Sequence, residues 1–246
     1  MSLRIMVVEE EPLSLRVMKS LAVPLGHSVL ALQDSQEAIQ QAEKRRFDVV
    51  FLGMPRADGF ELARGIRNAQ PNREPVVVML SATADIEMLR KAFGADVSFV
   101  LPKPIAAARI IPMLTAMESP RWKATLHAAR LRLFTDVICK WGDRDFPMRS
   151  LNISETGMLL QSSHEVEVGQ EVSLEFKIAE VRASLRVRAR IVRKEGTERV
   201  ATEFIGLAPE DQNAIQLYVM GRLKQSTPPR DLSDFRMRNL LVRRRD

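Results

Sequence analysis

Few residues in this 246-residue chain have types and spacing that could do chemistry. Cys139 is the only cysteine, so no intrachain disulfide can form and a cysteine-based zinc site is not expected. His27, His127 and His164 are scattered and do not make metal-ligand spacing. There is no glycine-rich phosphate loop and no Ser/His/Asp arrangement, so the expectation is a protein that is not an enzyme. What remains is an acidic run, Glu9-Glu10-Glu11, together with Ser81, Lys103 ahead of Pro104, a polar turn from Asn152 to Gly157, and Arg186, Arg188 and Arg190 at alternate positions. Cys139 falls on the apolar phase of its segment, which favours a buried, inert thiol.

The elements that must position these residues change character near residue 118. Before it, short apolar runs at 4–8, 27–32, 48–52, 76–80 and 98–101 alternate with helical stretches at 12–25, 35–46, 58–68, 84–93 and 105–117. Leu13, Val17, Leu21 and Leu25 form the apolar stripe expected on the first helix, Gly26 its stop, and Ser35 the cap of the second. Five β-α repeats predict a doubly wound parallel sheet, and ligands of such sheets bind at the carboxyl ends of the strands. The acidic run follows the first strand, Met54-Pro55-Arg56-Ala57-Asp58-Gly59 the third, Ser81 the fourth and Lys103-Pro104 the fifth.

These strand-end residues resemble the receiver domain of response regulators, a flavodoxin-like fold, over nearly all of 1–118. The resemblance implies that Glu9 and Glu10 stand at the acidic pair that binds Mg²⁺, Ser81 at the hydroxyl position and Lys103 at the lysine. It also implies an acceptor aspartate at the end of the third strand, where this chain has Gly53. The usual two-residue spacer before Met-Pro is missing as well. Glycine has no side chain with which to attack phosphorus or ligate a metal. Asp58 is expected to cap the helix after the turn rather than to substitute as acceptor. The expectation is therefore a degenerate receiver pocket of Glu9, Glu10, Gly53, Ser81 and Lys103. No metal site is firm there. Glu9 and Glu10 are weak candidates for Mg²⁺, because a hard cation wants several carboxylate oxygens.

After residue 118 a period of two dominates. Alternating segments at 133–141, 148–153, 158–161, 172–178, 185–191 and 200–204 predict six short strands, and Pro209-Glu210-Asp211 opens a helix with Ile215, Tyr218, Val219 and Leu223 on its apolar face. The fold class expected is thus α/β plus all-β: a five-stranded parallel sheet followed by a six-stranded antiparallel barrel with a C-terminal helix. Asn152-Ile153-Ser154-Glu155-Thr156-Gly157, together with the strand 188–193 and Glu203-Phe204, resembles the PilZ domain, a receptor module for cyclic di-GMP. The resemblance implies ligand contacts at Asn152, Ser154 and Gly157, and a preceding pair of arginines four residues apart. The second falls on Arg130, whereas the first falls on Leu126. Asn152 and Ser154 equally suit a turn closed by side-chain bonds to backbone. Arg186, Arg188 and Arg190 suit a solvated strand face.

Charge divides along the same boundary. The chain carries a net charge of +6 and a pI near 9.8, and residues 1–118 hold 14 basic and 14 acidic residues. The excess therefore lies in the second half, including an arginine-rich tail that could touch a membrane surface. Three units follow: a receiver-like domain at 1–118, a PilZ-like barrel at 119–225 and a basic tail at 226–246. No apolar run spans a bilayer and the first residues do not make a signal peptide, so a cytoplasmic location is expected. The expected role is bacterial signalling, with cyclic di-GMP as the candidate ligand, protein partners, and no specific nucleic acid. The alternative is a ligand-independent adaptor in motility or polarity control.

Overall fold

A computed structural model describes residues 1–69, 71, 75–83, 86–178 and 184–223; the tail at 226–246 lies outside them. The N-terminal half runs β1 (Arg4–Val8), α1 (Pro12–Ala22), β2 (Ser28–Leu32), α2 (Ser35–Lys44), β3 (Val49–Gly53), α3 (Gly59–Asn68), β4 (Val76–Ser81), α4 (Ile86–Gly94), β5 (Phe99–Pro102) and α5 (Ala107–Met117). The strands pair in parallel in the order β2-β1-β3-β4-β5. Every residue of β3 and β4 is buried, because helices cover both faces of the sheet. Met18 and Ala22 of α1 and Ile110, Met113 and Leu114 of α5 pack on one face with Val7, Phe51 and Val78. Leu62, Ala63 and Ile66 of α3 pack on the other with Met6, Val50 and Met79.

Three local expectations are corrected. The buried stripe of α1 is Ser14, Met18 and Ala22, one position on from the expected one, and Leu13 is exposed. Asp34, not Ser35, is the N-cap of α2, its carboxylate accepting the Glu37 N–H at 2.7 Å. Asp58 occupies the N-cap position of α3 but makes no cap bond; its Oδ1 accepts from Arg56 Nε at 3.0 Å instead. Gly26 does end the first helical stretch, at φ 83°.

The C-terminal half opens with a helix that the pattern of twos conceals, α6 (Trp122–Ala128). There follow β6 (Leu131–Arg132), β7 (Asp136–Trp141), β8 (Arg144–Ile153), β9 (Gly157–Gln161), β10 (Glu171–Phe176), β11 (Leu185–Glu195), β12 (Arg199–Ile205) and α7 (Pro209–Arg222). The strands are ordered β8-β7-β10-β11-β12-β9, and β9 pairs back onto β8, which closes a six-stranded antiparallel barrel. The two-residue β6 hangs on β8. Val137, Cys139, Leu174, Val187, Ala189 and Ile191 fill the interior. Burial pushes the Cys139 thiol up to about 11, so it is uncharged at neutral pH. Trp141, at the far end of β7, is exposed.

The two halves share one continuous apolar core. Helix α7 lies between them, touching α4, α5 and β5 as well as α6 and β11. Strand β5 is an edge strand whose outward backbone groups need partners. Asn213 supplies them: its Oδ1 accepts the Val100 N–H and its Nδ2 donates to the Val100 carbonyl, both at 3.0 Å. Nearby, Trp122 of α6 meets Phe99 with ring centroids 6.3 Å apart. Among the described residues, no helix is long and apolar enough to cross a membrane.

Candidate functional site

The parallel sheet gathers Glu9, Glu10, Gly53, Ser81 and Lys103 at the carboxyl ends of β1, β3, β4 and β5, as the β-α pattern requires. Glu9 is only 3% exposed. Its Oε1 accepts the Glu11 N–H at 3.1 Å, and Oε2 lies 2.7 Å from Lys103 Nζ. A Cβ added to Gly53 would come within 3.0 Å of Glu9 Cδ, Oε1 and Oε2. The Glu9 carboxylate thus fills the space that a longer side chain at 53 would take, and Lys103 neutralises it there. Ser81 is buried, and its Oγ accepts the Thr83 N–H at 3.3 Å.

Glu10 points away from this pair. Its Oε1 stands 3.7 Å from Arg56 Nη2, and Arg56 Nη2 also donates to the Gln33 carbonyl at 2.9 Å. Arg56 therefore ties the loop after β3 to those after β1 and β2. This role was invisible in a turn read for its Met-Pro and Asp-Gly. The donor set does not fit Mg²⁺. Glu9 is already held by Lys103 and a backbone N–H, Glu10 faces Arg56, and Gly53 offers no carboxylate. Among the described residues no group of three or more His, Cys, Asp or Glu could hold a metal ion.

The second cluster lies on the barrel. Ser154 is 1% exposed, and its hydroxyl is spent inside the turn: Oγ donates to the Gly157 carbonyl at 3.2 Å and accepts the Thr156 N–H at 3.3 Å. Gly157 is buried against β12, where a Cβ would overlap the Thr202 carbonyl oxygen and stand 3.3 Å from Glu203 Cα. Only glycine permits that approach. Asn152 differs. It is partly exposed, and its carboxamide makes no hydrogen bond among the described residues. Arg132, its partner on β6, is exposed beside it. Arg130 comes just before β6, and its Nη1 donates to the His127 and Ala129 carbonyls at 3.3 and 3.2 Å. Desolvation first, and the neighbouring Arg193 second, pull the Arg130 guanidinium below the usual arginine range.

Glu155 of the same turn accepts from Gln216 Nε2 of α7 at 2.6 Å and stands 3.6 Å from His127 Nδ1 of α6. The turn is thereby joined to both helices at the junction of the halves. Glu155, Thr156, Glu203, Phe204, Leu207 and Gln212 line an open cleft of about 280 Å³ there. Leu126, at the position expected for the first arginine, is a buried core residue of α6. Arg186 pairs with Glu175 at 3.0 Å, and Arg188 and Arg190 pair with Glu171 at 3.0 and 2.8 Å. That stripe is a cross-strand ion-pair ladder on an exposed face.

Relatives cover parts of the chain. A gliding motility regulatory protein of Myxococcus xanthus is 31% identical over 103 residues, which is 41% of this chain and 13% of that protein. The sensor histidine kinase AruS of Pseudomonas aeruginosa is 32% identical over 108 residues, 42% of this chain and 11% of its own. The chain thus spans a small fraction of the length of these relatives. Among solved structures, the receiver domain of sensor histidine kinase PA1611 from Pseudomonas aeruginosa is 25% identical and is matched over its full length by 48% of this chain, with a TM-score of 0.44. Residues 5–115 match the family model of the response regulator receiver domain, and residues 127–221 match that of the PilZ domain. The chain therefore carries a response regulator receiver domain over residues 5–115, followed by a PilZ domain over residues 127–221.

Proposed function

We propose that the chain is a non-enzymatic cytoplasmic effector whose barrel receives cyclic di-GMP and whose receiver half is a pseudo-receiver, a docking body that takes no phosphoryl group. The observation that carries the ligand reading is Asn152, a partly exposed carboxamide with no hydrogen bond among the described residues, beside Arg132 on the outer face of the barrel, with the exposed Arg130 just ahead of β6. A carboxamide can bond a guanine edge, and guanidinium groups fork onto phosphate and guanine acceptors. Ser154 and Gly157 shape the turn that holds Asn152 in place. Glu155 gives the turn a route to α6 and α7, and so to the receiver half. The pseudo-receiver reading rests on the Glu9–Lys103 pair, which fills the place of the acceptor.

Titration calorimetry of the full chain with cyclic di-GMP tests the first reading. A saturable isotherm supports it; no heat and no thermal shift at about 100 μM ligand overturns it. Leu126 favours a second reading, because the position expected to carry the first arginine is a leucine buried in the core from α6. In that case the chain is a ligand-independent adaptor that acts through protein partners. A null isotherm with retained partner capture is its expected result.

A further inference from the structure

We infer that Arg193 supplies a further cationic contact to the dianionic ligand, in place of the arginine missing at position 126. The inference rests on reading the barrel as a cyclic di-GMP receptor. Simple alternation along β11 would put Arg186, Arg188 and Arg190 outward and Arg193 inward. A bulge between Ile191 and Arg193 breaks that phase and sets Arg193 opposite Ala201 on the outer face. A second bulge, between Ser150 and Asn152 on β8, turns Asn152 outward opposite Leu159. Ala201 pairs with Leu159 on the strands between. One outward row therefore runs Arg193, Ala201, Leu159, Asn152, Arg132 across β11, β12, β9, β8 and β6.

The two bulges bring a cation and a carboxamide to opposite ends of a low floor. Three inter-strand steps separate them, about 14 Å at ordinary strand spacing. Leu159 and Ala201, both partly exposed, give the floor an apolar surface on which a base can lie. Arg193 also lowers the Arg130 guanidinium, after desolvation, as a nearby like charge does. Charge points the same way. Arg186, Arg188 and Arg190 are each held in an ion pair, the first with Glu175 and the other two with Glu171. Arg130, Arg132, Arg149 and Arg199 make no ion pair among the described residues, and the last two border this row through Gln161 of β9. Arg193 itself pairs with Glu195, an exposed contact that a phosphodiester can replace.

The test is calorimetry of the full-length chain and its variants with cyclic di-GMP. Arg193→Ala is expected to weaken binding about tenfold to a hundredfold, with its thermal midpoint unchanged. Arg193→Lys is expected to recover part of the loss. Arg186→Ala, which removes a paired arginine from the other end of β11, is expected to bind within about twofold of wild type. Wild-type binding with equal affinity in Arg193→Ala overturns this inference and leaves the receptor reading standing. Absence of binding by the wild-type chain overturns both.

Discussion

The carboxylate of Glu9 lies in the volume that a side chain at Gly53 would need. The two residues end adjacent parallel strands, β1 and β3, so each determines what the other can be. With glycine at 53, Glu9 turns inward and meets Lys103 at 2.7 Å. The place that a side chain at 53 would take is filled by an internal ion pair.

Restoring an aspartate alone is therefore expected to fail. Gly53→Asp forces a second carboxylate against Glu9 and overpacks a buried site, at a cost of about 1–3 kcal/mol. Calorimetric unfolding should show a lower midpoint, by roughly 2–4 °C for each kcal/mol in a chain of this size. Intact mass after incubation with acetyl phosphate and Mg²⁺ should be unchanged in both the wild type and the variant. An added phosphoryl mass on Gly53→Asp would show that Glu9 gives way.

Asn213 acts as a surrogate strand for the edge of β5. Asn213→Ala leaves the Val100 N–H and carbonyl without their partner at a buried junction, at about 1–3 kcal/mol for the unsatisfied groups. Because the bond joins the two halves, the expected signature is loss of cooperativity. Thermal unfolding should separate into two transitions, and limited proteolysis should cut between α5 and α6. A single transition shifted as a whole would show that the apolar contacts of α7 suffice to couple the halves.

Asn152 and Gly157 belong to one motif but should fail differently. Gly157→Ala pushes a methyl group into the Thr202 carbonyl, which the β9–β12 pairing cannot move aside, so stability should fall by about 1–3 kcal/mol. Asn152→Ala removes a side chain with no internal bond, and stability should stay within about 0.5 kcal/mol. Its cyclic di-GMP affinity should nevertheless drop about tenfold. Urea denaturation and calorimetry on the same two variants separate the roles.

Asp211, in the first turn of α7, is raised to about 6 by burial first and by Glu210 second. Between its unfolded value of 3.8 and about 6 the folded chain holds the extra proton, so stability falls as pH rises through that window. One pKa unit corresponds to ~1.4 kcal/mol, and partial exposure reduces the two-unit total to about 1–2 kcal/mol. Asp211→Asn should stabilise the chain by that amount at pH 7. Near pH 4 the difference should shrink towards zero. Urea titrations at the two pH values measure it.

Much was readable from periodicity alone. Runs such as Val76–Ser81, apolar at nearly every position, mark strands covered on both faces, and the alternation in Leu185–Glu195 marks a strand with one wet face. Periodicity did not reveal α6, since a seven-residue helix is too short to establish its own repeat. It also missed Arg193, although an arginine out of phase with Arg186, Arg188 and Arg190 is the mark a bulge leaves.

The sequence by itself determined the order of elements, the two halves, and the two departures at Gly53 and Leu126, because these depend on residue type and local spacing. Only the tertiary structure decided that Glu9 fills the space at Gly53, that Ser154 is spent inside its turn, and that two bulges align Asn152 with Arg193. It likewise decided that Asn213 caps a strand 113 residues away. The physical reason is the same in each case: a side chain's direction and partner depend on register and on the reach of neighbouring strands, and both are settled by contacts between residues far apart in the chain.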